Sequence, residues 1–511
     1  AATSGGVASF APGASSGNQT ITATNTSFYE NRGVHGSVFY LESTGAGQDV
    51  ELSNCTFFNN NAAGDGTVCL TSSNPAMIGQ TIFVAQAQIY NNHVGGSGGF
   101  ISFQTFVNVP TQFTLTQANC TGNSAQAYGG VVYTYQAGST KMLMDRVTAR
   151  KNHANANGGF ANMSLRPSGS HSVTVTDSSF DGHSAQLGGV FVLSSYSTKL
   201  QSIHMTRCNM TNNSGERGGA IHMINHISSA NQWITMSDCR MIGNHVTNYG
   251  GVIDMEHAGG MTDIKQTLEI NHCLVDSNTA ANQGGVFAMF GDQQVTLVDS
   301  IWRNNQAGTD GGAGYISAEP TATLDNGWLV VINNTFEYNA ANQSGGGLWL
   351  NQGRNVSLQS NTWLNNSATS QGGHLMLVLK STLGFIIMNN ETFGSIGGGM
   401  ESLYVSTLVN TQFEVTDLFL ESNSVKHVTL QGTGTANTLN ISSLITQANP
   451  VLFDLDGTWS VTELGHLTVE SDIPSQKLLT FVSNSHKFQQ VEWSLQNTSC
   501  YGMVEHELNS T

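Results

Sequence analysis

A short motif recurs along the chain, in which a glycine and a second glycine or small residue precede alternating apolar positions. Its copies begin at residues 36, 66, 98, 129, 158, 188, 218, 250, 284, 311, 345 and 372, with a weaker copy near Gly397. The copies are separated by about 30 residues. Because the apolar positions alternate with period two and are rich in Val, Ile and Phe, the motif predicts a short β-strand after each glycine.

A second motif lies upstream of most glycine pairs and consists of an apolar residue followed three positions later by asparagine. Its clearest copies are Phe28 to Asn31, Phe57 to Asn60, Ile89 to Asn92, Met241 to Asn244, Val275 to Asn278, Trp302 to Asn305, Phe336 to Asn339 and Trp363 to Asn366. Asparagine tolerates left-handed backbone geometry, and its carboxamide can bond to the same residue in the next repeat. The motif therefore predicts a second strand, a turn and an asparagine ladder.

A unit of about 30 residues cannot bury its own apolar face, whereas stacked copies form a continuous core. The repeats thus predict an all-β protein, a right-handed parallel β-helix of about 13 coils over residues 1–400. In each pair the first glycine would supply a positive φ at a corner, and the second would let backbones stack closely. Residues 401–511 lose the glycine pair but keep alternating runs. They are interpreted as shorter coils or a capping β region, with a separate small β domain as the alternative.

The two motifs resemble the repeats of a known family. Gly218–Ile221 reads GGAI, and the pattern FxxN occurs at Phe28, Phe57, Phe58 and Phe336. These tetrapeptides resemble the GGA(I/L/V) and FxxN repeats of the polymorphic outer membrane proteins, which are surface adhesins of the autotransporter class. The resemblance covers roughly residues 25–400 and implies a parallel β-helix with a surface-exposed role.

Charge and hydropathy narrow the choice of partners. The chain has 17 Lys and Arg against 34 Asp and Glu, for a formal net charge of −17. Such a surface repels polyanions, so nucleic acid is not an expected partner. No apolar run is long enough to cross a bilayer, so membrane insertion is not expected either. The first ten residues have no basic and apolar leader pattern, which predicts that any signal peptide has already been removed.

Acceptor sites for N-glycans occur throughout the chain. Fifteen asparagines stand in N-x-S/T sequons: Asn18, Asn25, Asn54, Asn119, Asn162, Asn209, Asn212, Asn333, Asn342, Asn355, Asn365, Asn390, Asn440, Asn497 and Asn509. Strand parity places six of them on solvent-facing positions near the second motif, namely Asn25, Asn54, Asn119, Asn209, Asn333 and Asn390. The sequons therefore predict an extracellular, cell-surface glycoprotein that carries covalent N-glycans.

Parity also directs the fourth residue after the first glycine outward. The apolar members of this row are Tyr40, Leu70, Tyr133, Val192, Tyr315, Trp349 and Met376. A contiguous apolar row on an outer face usually meets a partner or is covered by the chain itself. We expect it to be an interface with other copies of this protein, although a row of aromatic side chains can also stack on sugars.

Candidate chemistry is sparse. Pectin-degrading enzymes share the parallel β-helix and cluster carboxylates on one face, but no Asp-Asp pair occurs in this sequence. One constellation stands out: His222 and Asp254 fall in the outward row on adjacent coils, with His226, Glu256 and His257 beside them. These side chains could bind Zn²⁺ or serve as acid and base. We expect instead an ordinary polar patch, without a metal or other cofactor.

Three of the seven cysteines, Cys208, Cys239 and Cys273, each lie two residues before the apolar residue of the second motif. They are expected to stack inward on consecutive coils. Directly opposed positions in a parallel sheet hold their Cβ atoms farther apart than a relaxed disulfide needs, so a stack of thiols is favoured over a bridge.

The sequence is compatible with three functions. The leading hypothesis is a structural glycoprotein without enzymatic activity, a protomer that packs with copies of itself into a cell-surface filament or layer. The first alternative is an adhesin or glycan-binding surface protein. The second is a polysaccharide lyase or hydrolase.

Overall fold

The computed structural model describes residues 6–10, 18–43, 47–72, 79–106, 108–166, 169–226, 231–257, 265–317, 327–351, 355–379, 384–396, 401–407, 410–420, 426–446, 451–469, 479–483 and 504–508. The chain divides into two compact units, residues 1–267 (unit 1) and 268–511 (unit 2). Regular structure in the described part consists of β-strands paired in parallel. None of the described residues forms a helix long and apolar enough to cross a membrane.

The predicted fold is confirmed, because the strands wind into a right-handed parallel β-helix. It has about 12 turns, close to the 13 expected. Each repeat contributes a Gly-pair strand, a long strand, a three-residue strand at the position of the second motif, and in most repeats a short corner strand. The three-residue strand is called the aromatic strand here, although Cys, Ala, Met or Val replaces the aromatic residue in several repeats. The two motifs therefore mark successive faces of one coil.

Unit 1 contains most of the complete repeats. Its Gly-pair strands are Ala8–Phe10, Phe39–Ser43, Val68–Ser72, Ile101–Thr105, Val132–Gln136, Ala161–Leu165, Phe191–Ser195, Ile221–Asn225 and Ile253–His257. Its long strands are Gln19–Thr24, Gly47–Ser53, Gly79–Ala85, Thr111–Thr116, Thr140–Asp145, His171–Thr176, Gln201–Thr206 and Gln232–Ser237. Its aromatic strands are Ser27–Tyr29, Thr56–Phe58, Gln88–Tyr90, Asn119–Thr121, Thr148–Arg150, Ser179–Asp181, Asn209–Thr211 and Arg240–Ile242. Its corner strands are Arg32–Gly33, Asn61–Ala62, His93–Val94, Ser124–Ala125, His153–Ala154, Ser214–Arg217 and His245–Tyr249.

The long strand Lys265–Asn271 spans the division between the units. The Gly-pair strands of unit 2 are Phe287–Phe290, Gly314–Ser317, Leu348–Asn351, Leu375–Leu379 and Glu401–Thr407, and its long strands are Asp292–Val298, Trp328–Ile332, Asn355–Gln359, Gly384–Phe393 and Thr411–Leu420. The aromatic strands are Leu274–Asp276, Ile301–Arg303, Thr335–Glu337 and Thr362–Leu364, and the corner strands are Thr279–Ala280, Gln306–Ala307, Ala340–Ala341 and Ser367–Ala368. The remaining strands are Lys426–Thr446, Val451–Val469, Leu479–Ser483 and Val504–Leu508.

The strands after residue 400 continue the same parallel pairing. Leu403 pairs with Leu375, Val428 with Leu403, and Phe453 with Val428. Further coils would pair in this way. The boundary between the two compact units falls after residue 267 and not near residue 400. The weak glycine copy near Gly397 lies outside the described residues.

The glycine pairs have the two roles expected of them. The first glycine of each pair has a positive φ, for example 64° at Gly129 and 70° at Gly158. The second approaches the next coil closely, since a Cβ built on Gly130 would lie 2.1 Å from the carbonyl oxygen of Gly159. The positive φ at the first position favours glycine, whereas the second position also accepts Ser37 and Thr67 in the copies that begin at Gly36 and Gly66.

Asparagine side chains form the predicted ladder inside the aromatic-strand turn. In unit 1 the Nδ2 atom of Asn60 donates to Asn92 Oδ1 at 2.8 Å, and Asn92 donates likewise to Asn123 at 2.9 Å. Each carboxamide also donates to a backbone carbonyl of the preceding coil, as Asn92 Nδ2 does to Phe57. All of these asparagines are fully buried. The ladder thus satisfies buried polar groups and fixes the register between coils.

Apolar side chains stack in the same register beside the ladder. In unit 2 the ring centroids of Phe336 and Trp363 are 4.3 Å apart, with ring planes inclined by 6°. In unit 1 Phe28 and Phe57 stack at 4.9 Å. The cysteine prediction also holds, because Cys208, Cys239 and Cys273 are buried and form no disulfide, and the backbone N–H of Cys208 donates to the sulfur of Cys239. The core is a set of columns in which equivalent residues of successive coils touch.

His183 replaces asparagine at one step of the unit 1 ladder. Its Nδ1 accepts a 3.3 Å hydrogen bond from the backbone N–H of Asn152, and its buried Nε2 has no partner among the described residues. Burial lowers the pKa of this imidazole from 6.5 to about 4. The folded state therefore requires a neutral histidine, and acid must weaken the ladder at this step.

We predict that His183→Asn protects the protein against acid. In the native protein the depressed pKa contributes stability that is present above pH 6.5 and is lost as the pH falls towards 4. At pH 5 this histidine has lowered the free energy of unfolding of the native protein by about 2 kcal/mol. Urea unfolding followed by circular dichroism at pH 7.5 and pH 5 measures it. Between pH 7.5 and pH 5 the free energy of unfolding should fall by about 2 kcal/mol less for the variant than for the native protein. A difference between the two proteins that is the same at both pH values would contradict the prediction.

Candidate functional site

The apolar row predicted to be exposed is mostly buried, and that expectation was wrong. Leu70 and Val192 have 0% of their surface exposed, and Tyr133, Tyr315 and Met376 have 9%, 7% and 9%. Tyr40 and Trp349 are half-buried. Leu70 does not belong to the row, because the segment between Gly66 and its strand is one residue shorter and Cys69 pairs with Tyr40 in its place.

Two features explain the burial. Equivalent side chains stack on one another, as Tyr315 and Trp349 do in unit 2 with ring centroids 4.4 Å apart. In unit 1, residues on both sides of the Gly-pair strands rise above the row. The row is therefore not an open face, and Tyr133 forms part of the floor of a cleft.

The cleft in unit 1 has a volume of about 600 Å³. Its floor is built from outward residues of three consecutive Gly-pair strands, with Tyr133 and Tyr135 on the first, Asn162 and Ser164 on the second, and Ser194 on the third. These residues are brought together by the direct register of the coils. We call this site the tyrosine cleft.

One wall consists of the residue immediately before each first glycine. Tyr128 and Asn157 occupy this position and pair with each other across neighbouring coils. The ring of Tyr128 stacks on that of Tyr133, with centroids 5.7 Å apart and planes inclined by 20°. Tyr128 keeps 38% of its surface exposed, so its outer face is open to a ligand.

The opposite wall consists of the residues that directly follow the Gly-pair strands, which are Arg166, Tyr196 and His226. Arg166 Nε donates to the phenolic oxygen of Tyr135 at 2.6 Å, and its guanidinium carbon lies 4.7 Å from the centre of that ring. Tyr196 and His226 stack with centroids 4.3 Å apart. Burial and the neighbouring His222 lower the pKa of His226, so its imidazole is neutral at physiological pH.

Asn162 lies on the floor of the cleft with only 3% of its surface exposed. Its Oδ1 atom is buried and has no hydrogen-bond partner among the described residues. An unsatisfied buried acceptor is costly, and a donor on a bound ligand would satisfy it. This position also corrects the sequence analysis, because the Asn162 sequon is closed to a glycan in the folded chain.

The other sequons are mostly on the surface. The exposed ones are Asn18, Asn25, Asn54, Asn119, Asn209, Asn212, Asn333, Asn342, Asn355 and Asn390. They include all six that strand parity placed toward solvent. Asn365 and Asn440 are half-buried, and Asn497 and Asn509 lie outside the described residues.

The predicted constellation around His222 is brought together, but as a buried ion-pair cluster. His222 Nδ1 lies 2.9 Å from Asp254 Oδ2, and the two side chains are 1% and 0% exposed. Arg217 Nε lies 2.8 Å from the same Asp254 oxygen, and Arg217 also pairs with Glu256. One guanidinium thus compensates both carboxylates, which is how proteins tolerate buried charges.

The other two members of the constellation are not among the ion pairs of this cluster. His226 donates to or accepts from Ser194 Oγ at 3.1 Å and belongs to the wall of the tyrosine cleft. His257 is buried at the end of its strand. Nowhere in the described ranges do three His, Cys, Asp or Glu side chains come together in a way that could hold a metal ion.

Sequence reasoning missed the walls of the tyrosine cleft. Tyr128 and Asn157 each precede a glycine pair, and Arg166 and Tyr196 each follow a strand by one residue. A signal was available, since the position before the first glycine reads Tyr, Asn, Leu, Arg and Tyr in five successive coils. A recurring large residue there indicates a ridge beside the strands.

Comparison with known proteins adds no relative. No protein-family model, curated protein or solved structure matches the chain. The resemblance to the polymorphic outer membrane proteins therefore remains a resemblance of short motifs.

Proposed function

We propose that the chain is an extracellular glycoprotein that binds saccharides in the tyrosine cleft. The observation that carries this proposal is the convergence of four tyrosines on one cleft whose floor holds an unpartnered polar atom, Asn162 Oδ1. Tyrosine rings stack on the apolar faces of sugars, and their hydroxyls bond to sugar hydroxyls. The cleft volume of about 600 Å³ is in the range of small-ligand sites.

The shape of the site favours an extended ligand. The floor crosses three coils, and neighbouring coils in a β-sheet are about 4.8 Å apart. This spacing is close to the length of one sugar residue in a linear chain. An oligosaccharide lying across the coils would meet an equivalent set of outward side chains at each residue.

Binding is favoured over catalysis because no free carboxylate of the described residues faces the cleft. None of the described residues that line the cleft is acidic. Asp254 and Glu256, which are not among the lining residues, are both paired with Arg217. A catalytic acid or base must reach its substrate, and the His222–Asp254 pair is closed to solvent. These observations support a binding protein without enzymatic activity.

The structure gives less support to assembly into a filament or layer. That hypothesis drew in part on an exposed apolar strip, and the members of this strip are buried or half-buried in the structure. Assembly with copies of the same chain stays a prediction. An adhesin that displays a saccharide site at the cell surface accounts better for the described residues.

We predict that Tyr135→Ala and Tyr196→Ala each weaken saccharide binding roughly tenfold, because each removes one stacking ring. An array of neutral and acidic oligosaccharides would identify the ligand, and titration calorimetry would measure the affinities. Tyr29→Ala is the matched control, since Tyr29 is 66% exposed and lies on an aromatic strand away from the cleft. Equal affinities for the native protein and both cleft variants would refute the site.

We also predict a specific pattern of glycosylation. After secretion from a eukaryotic host, Asn25, Asn54, Asn333 and Asn390 should carry glycans because they are exposed, and Asn162 should be bare because it is buried. Intact-glycopeptide mass spectrometry reads each site. Glycan on Asn162 in folded protein, or none on the four exposed sites, would contradict the proposal.

A further inference from the structure

An apolar groove lies on the long-strand face of unit 2, away from the Gly-pair strands. Its volume is about 290 Å³. Trp328 and Val330 form one wall, and Phe385 and Ile387 form the other. Trp328, Phe385 and Ile387 keep 42%, 44% and 44% of their surfaces exposed. Three large apolar side chains this open and this close together indicate that something covers them.

The floor of the groove is an N-glycosylation sequon. Asn355 lies in register between Trp328 on one side and Phe385 on the other, and Ser357 lies in the same way between Val330 and Ile387. Asn355 and Ser357 are the acceptor and hydroxyl residues of the sequon, while Val356 between them points inward with 1% exposure. The attachment point of a glycan is therefore flanked by two aromatic rings on adjacent coils.

We propose that the groove is the seat of the N-glycan attached to Asn355, whose first sugar residues pack between Trp328 and Phe385. This inference rests on the proposal that the chain is an extracellular glycoprotein. A sugar linked to Asn355 starts between the two rings, and the faces of its pyranose ring carry C–H groups that contact aromatic side chains. Covalent attachment keeps the local concentration of the sugar high, so a weak stacking contact is enough to hold it.

The other exposed sequons do not share this setting. Asn209 also lies on an outward position of a strand, but its neighbours in register are Ser179 and Arg240. A glycan there extends into solvent. Asn209 thus provides an internal control in the same molecule.

The test compares glycan release at the two sites. Protein secreted from a eukaryotic host is treated with peptide N-glycosidase in its native state, and site-resolved mass spectrometry follows the loss of each glycan. We expect release at Asn355 to be about tenfold slower than at Asn209, which corresponds to ~1.4 kcal/mol of protection. After denaturation the two rates should be equal.

A double variant, Trp328→Thr with Phe385→Thr, tests the cause. Both side chains are more than 40% exposed, so their loss leaves no cavity, and threonine retains strand propensity. The release rate at Asn355 should rise to that of Asn209. The single variant Phe385→Thr should give an intermediate rate, and it replaces the double variant in the test if the double variant does not fold.

Several outcomes would overturn the inference. A bare Asn355 beside an occupied Asn209 would do so, as would equal native rates at the two sites or a slow rate that survives both substitutions. A dimer in sedimentation that the double variant abolishes would assign the groove to a second copy of the chain. If every exposed sequon is bare, the failure belongs to the glycoprotein proposal itself.

Discussion

The structure depends on the direct register between equivalent residues of successive coils. The buried asparagines enforce this register, because each carboxamide bonds to a carbonyl of one coil and to the carboxamide of the next. Asn92 does so with Phe57 and Asn123. A slip of one residue would leave both groups unsatisfied and would turn the apolar columns toward solvent. The glycine pairs allow the backbones to come close enough for the ladder to form.

The same register organises the outer surface. Once the interior columns are fixed, outward side chains must also form rows with one residue from each coil. On the Gly-pair strands of unit 1 such rows, bounded by Tyr128 on one side and Tyr196 on the other, become a cleft. On the long strands of unit 2 a row of short side chains between longer apolar ones becomes a groove. Both candidate sites are therefore consequences of stacking.

Features that depend on local sequence could be predicted. A corner glycine such as Gly129 and a ladder residue such as Asn60 occur at the same place in each repeat, so the sequence indicated their roles. The exposure of Asn25 and Asn333 was predicted correctly, although both lie at turns with positive φ between strands, where strand parity does not apply. The arrangement of His222 beside Asp254 was also expected, since both occupy one position on adjacent coils.

Features that depend on neighbouring segments could not be predicted in this way. Parity correctly sent Tyr133 and Val192 outward, but it does not register that flanking residues rise above them. It therefore predicted an open interface where the structure has buried side chains, and it counted Asn162 among the sequons that could carry a glycan. Leu70 was misplaced because the segment after Gly66 is one residue shorter, which shifts the count. The pairing of Arg217 with Asp254 depends on a corner strand that the motifs do not mark.

Hydroxyl-radical footprinting of the tyrosines, read by mass spectrometry, tests the central claim most directly. Tyr128 and Tyr196 are 38% and 48% exposed in the cleft, while Tyr29 and Tyr338 are 66% and 56% exposed elsewhere. The account predicts that a saturating oligosaccharide lowers the oxidation of Tyr128 and Tyr196 and leaves Tyr29 and Tyr338 unchanged. Unchanged oxidation of Tyr128 and Tyr196 while the oligosaccharide is bound would show that the cleft is not the binding site.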